Sequence, residues 1–301
     1  MKMQALLHPA MPVAIEDHII FQWILRTLSF SAFAYTLLAV ILVFLQAIYI
    51  NFIAEKHKLF AKSGYYPAFM FLLFSSLYPA FNYFSEPLLI NWFVLIAIDI
   101  MLSFPKTLRP NRQLFNAGFV ICLPALLQFP ALGFFLLLLT AFLLLRSYRH
   151  SEMVVTLLGY LTPVYFFAGI LYLIDRIDVL KNSVGISYGI PQLSSSRIYL
   201  VGTIGGLAVF LLLGLFAFQQ LSGRMTIYIK RSWVMVFCYL AVGVLVSMLA
   251  VSAVHAEWIL VLPPLSLIAA QIFSMENPRR LSIFMFYFSL ALLIFSLITI
   301  K

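Results

Sequence analysis

The run FVLIAIDIMLSF, residues 93–104, is apolar throughout apart from one carboxylate, Asp99. The rest of the chain decides how it is read. Of 301 residues, 64% are hydrophobic and only 10% are charged, with a mean hydropathy of +1.05. A soluble domain is about half apolar and about a quarter charged. This excess cannot be hidden in one soluble core, so lipid is the solvent for much of it. The run then belongs to a membrane helix, 88–104, with an ionisable group inside it.

A spanning helix needs about 20 mostly apolar residues. Ten stretches fit that pattern: 28–53, 65–84, 88–104, 115–129, 131–146, 153–174, 198–218, 233–254, 258–275 and 281–300. The fourth and fifth are short and divided only by Pro130. They form a helical hairpin (115–146) that either spans or dips in and returns. The expected fold is all-α: a polytopic transmembrane helix bundle of about ten segments, in a single integral membrane domain, 1–301. Residues 1–27 lead into it. Within AIEDHIIFQWILRT (14–27), Ile19, Ile20, Trp23 and Ile24 are spaced as on an amphipathic helix lying in the interface. MKMQALLHPAMPVAIED (1–17) has no apolar stretch ending at a small-residue cleavage site, so a removable signal peptide is not expected.

The net charge of +9 would suggest nucleic acid in a soluble protein. Here no basic helix or aromatic-basic module supports that reading, and nucleic acid is excluded as a partner. The bases sit instead in short loops. Lys56, Lys58 and Lys62, then Lys106, Arg109 and Arg112, then Arg146 and Arg149 fall on one side. Arg224, Lys230 and Arg231, and finally Arg279 and Arg280, join them: 13 of the 19. The short connections on the other side have none. The positive-inside rule places the base-rich side in the cytoplasm and both termini outside. Cys122 and Cys238 lie in apolar runs and read as small buried hydrophobes, with no metal motif.

A faint repeat relates SEP (85–87) to HAE (255–257), LIAIDI (95–100) to LIAAQI (267–272) and RQL (112–114) to RRL (279–281). It sets Gln271 where Asp99 stands. LYPAFNYF (77–84), FVLIAIDIML (93–102), LFNAGFVICLPALLQFPAL (114–132), LLLRS (143–147) and LLGYLTPVYF (157–166) resemble an uncharacterised family of multi-pass membrane proteins from Bacteroidota. That resemblance implies a bacterial inner-membrane protein of the cell envelope. It supplies no activity and no site residues.

Asp99 lies five residues before Phe104, roughly 7–8 Å from the helix end at 1.5 Å per residue. It is therefore shallow, on the cytoplasmic side. A charge at the bilayer centre costs about 3 kcal/mol or more, and a shallow one less. The expected arrangement is a structural intramembrane ion pair of Asp99 with Arg109, Arg112 or Arg146. A proton or cation relay, or a headgroup site, is the functional alternative.

Six of the ten acids fall on the external side: Glu16, Asp17, Glu86, Asp175, Asp178 and Glu257. His18 and His255 join them. Carboxylates above an apolar body are what an enzyme acting on lipid-linked glycans requires, one as general base and others on a divalent metal at the pyrophosphate. Asp175, Asp178, Glu86 and Glu257 are the candidate catalytic residues. Asp175 and Asp178 share a face on a helical turn and open the external loop 175–197. No metal site is expected from spacing, since His255 and Glu257 alone do not make one. The plainer account is that acids are simply tolerated outside.

Gly202 and Gly206 read as a helix-packing pair. Pro124, Pro263 and Pro264 read as kinks, and Trp23, Trp92, Trp233 and Trp258 as interfacial anchors. Three function classes follow. One is an enzyme on lipid-linked envelope precursors. Another is a non-catalytic subunit bound to a membrane protein partner. The least supported is a transporter, because so few polar groups are embedded. Membrane lipids are partners in all three.

Overall fold

The computed structural model describes residues 2–12, 19–106, 111–145, 150–175, 197–250, 255–274 and 279–299. Among the described residues every regular element is helical. In lipid a helix satisfies its own backbone groups, which is why long apolar runs take that form.

The chain starts with α1 (Lys2–Leu7) and α2 (Ile19–Leu28). Ser29 then turns the backbone at φ 38°, and the Ser31 hydroxyl caps α3 (Ala32–Lys56) by accepting from the Ala34 amide. The first apolar stretch, 28–53, thus becomes a helix that starts four residues later and ends three later, and Leu28 belongs to α2. At the far end of α3 the Lys58 amide bonds the Glu55 carbonyl at 3.1 Å, and the Leu59 amide bonds Ala54 at 3.0 Å. That pair of bonds is a Schellman stop. Lys58 occupies its left-handed position, φ 53°.

There follow α4 (Tyr66–Leu77) and a 3-10 turn (Pro79–Asn82), then α5 (Glu86–Leu102) and α6 (Asn111–Leu127). A 3-10 stretch (Phe129–Phe134) leads into α7 (Phe135–Leu145). Next come α8 (His150–Leu173), α9 (Arg197–Ser222) and α10 (Ile227–Leu249). The segment after α10 runs as 3-10 (Ala256–Val261), α11 (Leu262–Ala270) and 3-10 again (Gln271–Ser274), before α12 (Arg279–Thr299). Each of the ten apolar stretches overlaps one of these helices. Five segments are long and apolar enough to cross a membrane: Ala32–Lys56, His150–Leu173, Gly202–Ser222, Ile227–Leu249 and Ala256–Ser274. Pro263 and Pro264 are not kinks. They stand in the first turn of α11, where a missing amide donor costs nothing. Pro124 does lie inside its helix, α6, and is buried.

The α11 segment is the axis of the bundle, packed by α4, α9 and α10. Outside it, α12 rests on α4 and α9, and α7 rests on α10. A further layer runs from α3 to α5, α6 and α8. The α6–α8 crossing is the tightest. A Cβ on Gly118 would meet the Thr156 carbonyl oxygen, and one on Gly159 would meet that of Phe115. Gly202 and Gly206 sit against Phe295 and Leu292 of α12, as a packing pair should. Trp233 is not an interfacial anchor. It is fully buried, and its indole N–H donates to the Leu59 carbonyl at 3.1 Å.

Two ends can be told apart. The α3–α4 loop, the α9–α10 turn and Gln271–Ser274 meet at one, which carries Lys58, Lys62 and Arg224. At the other, α1, Pro79–Asn82 and Ala256–Val261 meet, with Glu86 and Glu257 nearby. The first is the basic end of the bundle and the second the acidic end.

Candidate functional site

Asp99 stands in the last turn of α5, next to the last turn of α3. Lys56 Nζ donates to Asp99 Oδ1 at 2.8 Å and to Oδ2 at 2.6 Å. His57 Nε2 lies 2.8 Å from Oδ1, and Tyr49 Oη donates to Oδ2 at 3.5 Å. A carboxylate only accepts, so the His57 bond places a proton on Nε2. The other ring nitrogen faces Tyr228 Oη at 3.4 Å, and that hydroxyl donates to the Leu102 carbonyl at 2.9 Å. One carboxylate therefore ties α3 to α5, and through His57 both are tied to α10.

Of the partners expected for Asp99, only Arg112 is described. Arg112 is exposed at the start of α6, while Arg109 and Arg146 lie outside the described residues. What brings Lys56 to Asp99 is proximity. α3 packs directly on α5, and its extension to residue 56 carries Lys56 alongside the carboxylate instead of leaving it in the loop.

A second polar chain joins the same three helices. Tyr239 Oη donates to Asn91 Oδ1 at 3.3 Å, Asn91 Nδ2 to Gln46 Oε1 at 3.2 Å, and Gln46 Nε2 to the Leu88 carbonyl at 2.8 Å. All three side chains are buried. Interhelical bonds of this kind are worth about 0.6–1.7 kcal/mol in a membrane.

Of the four candidate catalytic acids, three are described: Glu86, Glu257 and Asp175. Glu86 opens α5 and is buried. Glu257 is buried in the 3-10 stretch before α11, where its carbonyl accepts from the Ser247 hydroxyl at 2.9 Å. Those two segments pack on each other. Asp175 stands exposed past the end of α8, at φ 54°, and α8 packs on α6 instead. Asp178 and most of the loop 175–197 lie outside the described residues, as do Glu16, Asp17 and His18. Among the described residues no group of three or more His, Cys, Asp and Glu is placed to hold a metal. Lys2 donates to Asn82 Oδ1 at 3.4 Å, and burial pushes its ammonium down to about 8.

The sequence reading missed Lys56, His57, Gln46, Asn91, Tyr228 and Tyr239. Lys56 and His57 follow an apolar run immediately, which reads as a loop. Their partner is more than forty residues away, and no local spacing announces it. Comparison of the chain with family models, curated proteins and solved structures found no match in any of the three.

Proposed function

We propose that this chain is a multi-pass protein of the bacterial inner membrane that acts as a non-catalytic member of an envelope assembly. In this reading all ten apolar segments belong to the membrane domain, the basic end faces the cytoplasm and both termini lie outside. The observation that carries it is the use made of the interior polar groups. Asp99, Asn91, Gln46 and Tyr239 bond across α3, α5 and α10, and Glu86 and Glu257 are buried. Such groups build a rigid body that a partner can rely on. Extraction of the tagged protein in mild detergent should bring down a stable membrane partner. A monodisperse monomer that keeps full biological function would overturn the reading.

A second reading, an enzyme on lipid-linked glycan precursors at the acidic end, is favoured by Asp175, exposed at a left-handed turn where the loop 175–197 begins. Left-handed backbone at a non-glycine residue is often kept for function. Asp175→Asn and Asp178→Asn should then abolish function at unchanged abundance. Full complementation by amide variants at Asp175, Asp178, Glu86 and Glu257 would sink it. Transport has less support, because the interior side chains bond one another.

A further inference from the structure

We propose that His57 is a proton-binding site whose charge decides which helix the Tyr228 hydroxyl holds. The ring caps the C-terminus of α3 and is 1% exposed. Asp99 of α5 faces one of its nitrogens, and Tyr228 of α10 faces the other. Lys56 and Tyr49 of α3 reach the same carboxylate. Among the described residues these are the titratable groups bonded to the ring or to its carboxylate. Glu55 and Lys58, next to them along α3, are exposed, as are Lys230 and Arg231 on α10.

Hydrogens, rather than charges, set the two states. Both Asp99 oxygens take the Lys56 ammonium, so the carboxylate is ionised and can only accept. His57 therefore keeps a hydrogen on Nε2, 2.8 Å from Oδ1, whatever its charge. A phenol has one hydrogen, and that of Tyr228 goes to the Leu102 carbonyl at 2.9 Å. What Tyr228 then turns toward His57 Nδ1, 3.4 Å away, is a lone pair. With Nδ1 protonated the arrangement is satisfied, since each hydrogen on His57 and Tyr228 meets an acceptor. With Nδ1 bare, two lone pairs face each other in a place closed to solvent, which is costly. The hydroxyl relieves this by turning about its Cζ–O bond. It then donates to Nδ1 and leaves Leu102.

The two states tie different helices. Leu102 is the last residue of α5, where carbonyls lack an amide partner within the helix. In the charged state Tyr228 fastens α10 to that carbonyl, and His57 donates to both neighbours. In the neutral state the bond from α10 to α5 is gone, and Tyr228 holds α3 instead. Histidine is the side chain that changes charge between about pH 5 and 8. A proton has a way in, because the side chain of Asp99 is 11% exposed and that of Lys56 is 40% exposed. The site thus turns a proton into a change of contact between α5 and α10. This switch goes beyond the assembly role proposed above and works whichever side of the membrane the basic end faces.

The test uses the purified full-length chain in neutral detergent, with isotope-labelled histidine rings and leucine carbonyls, followed by NMR from about pH 5 to 8. The His57 signals are those lost in His57→Gln, and the Leu102 carbonyl is the one lost in Leu102→Met. Nε2 should stay protonated throughout, while Nδ1 loses its proton in one titration. The Leu102 carbonyl should shift with the same midpoint. In Tyr228→Phe, which keeps the ring, Nδ1 should still titrate and the Leu102 shift should be lost. Tyr49→Phe removes a hydroxyl from the other side of Asp99 and should leave the coupled response in place. An Nδ1 that stays in one state across the range would overturn the switch. So would a Leu102 carbonyl that ignores Nδ1, that still follows it in Tyr228→Phe, or that loses its response in Tyr49→Phe as well.

Discussion

Lys56 reaches both carboxylate oxygens of Asp99, at 2.8 and 2.6 Å, and so fastens the last turn of α3 to the last turn of α5. The pair is unequal. The Lys56 side chain is 40% exposed and that of Asp99 is 11% exposed, while His57 on its other side is sealed. Removing the carboxylate therefore strands two donors, whereas removing the lysine leaves the carboxylate with His57. Asp99→Asn should cost roughly 2–3 kcal/mol, below the range for a fully buried pair, and Lys56→Met roughly 1 kcal/mol. Thermal unfolding in detergent and steady-state abundance in membranes should rank the two variants in that order.

The α6–α8 crossing predicts a different kind of loss. Because each glycine faces a backbone carbonyl, added methyl groups cannot be absorbed by side-chain rotation. Gly118→Ala or Gly159→Ala should push the helices apart and cost about 1–3 kcal/mol. Gly169→Ala, on the same α8 with open space around it, should be neutral or slightly stabilising. Melting temperatures of the three variants check the contrast.

The buried chain through Asn91 has an end and a middle. Tyr239→Phe removes the end donor and should cost about 1 kcal/mol. Asn91→Leu breaks two links together, leaving the Gln46 carbonyl oxygen and the Tyr239 hydroxyl without their partner, and should cost more. Should Tyr239→Phe prove the worse of the two, the chain does not work as described.

Lys2 gives a pH dependence. Its ammonium is held near 8 in the folded protein against 10.5 unfolded. Between those values the unfolded chain binds more protons, so stability rises with pH there. Below about 8 the penalty for burying the charge is present in full. The docking of α1 should therefore tighten as pH climbs from 8 toward 10.5, read as slower amide exchange after correction for the intrinsic rate. Lys2→Met should flatten the response.

Much of the fold was legible because apolar length is a local property. The stretch 88–104 became Glu86–Leu102, and 153–174 became His150–Leu173, each within three residues at either end. Burial of Trp233 was not legible, since a tryptophan near a helix end looks alike whether it meets lipid or a neighbouring loop. Asp99 marks the same limit. Its place near a helix end could be read from the apolar run, but which base reaches it depends on α3 lying beside α5. Of the acids assigned to the other side, Glu86 and Glu257 lie on segments that pack on each other. Whether an acid is accessible or enclosed depends on packing, and Glu86 and Glu257 turned out enclosed.

The central segment, Ala256–Ser274, changes what a short span can achieve. Its 19 residues are only nine in α-helix, with 3-10 turns on both sides. A 3-10 turn rises about 2.0 Å per residue against 1.5 Å in an α-helix. The mixed segment is then about 33 Å long, where a pure α-helix of the same residues would be about 28 Å, against a hydrocarbon core of about 30 Å. Stretching its ends brings a candidate span of 19 residues up to that thickness. Such weaker backbone geometry is tolerable only away from lipid, and this segment, at 89% buried, is the most enclosed of the five.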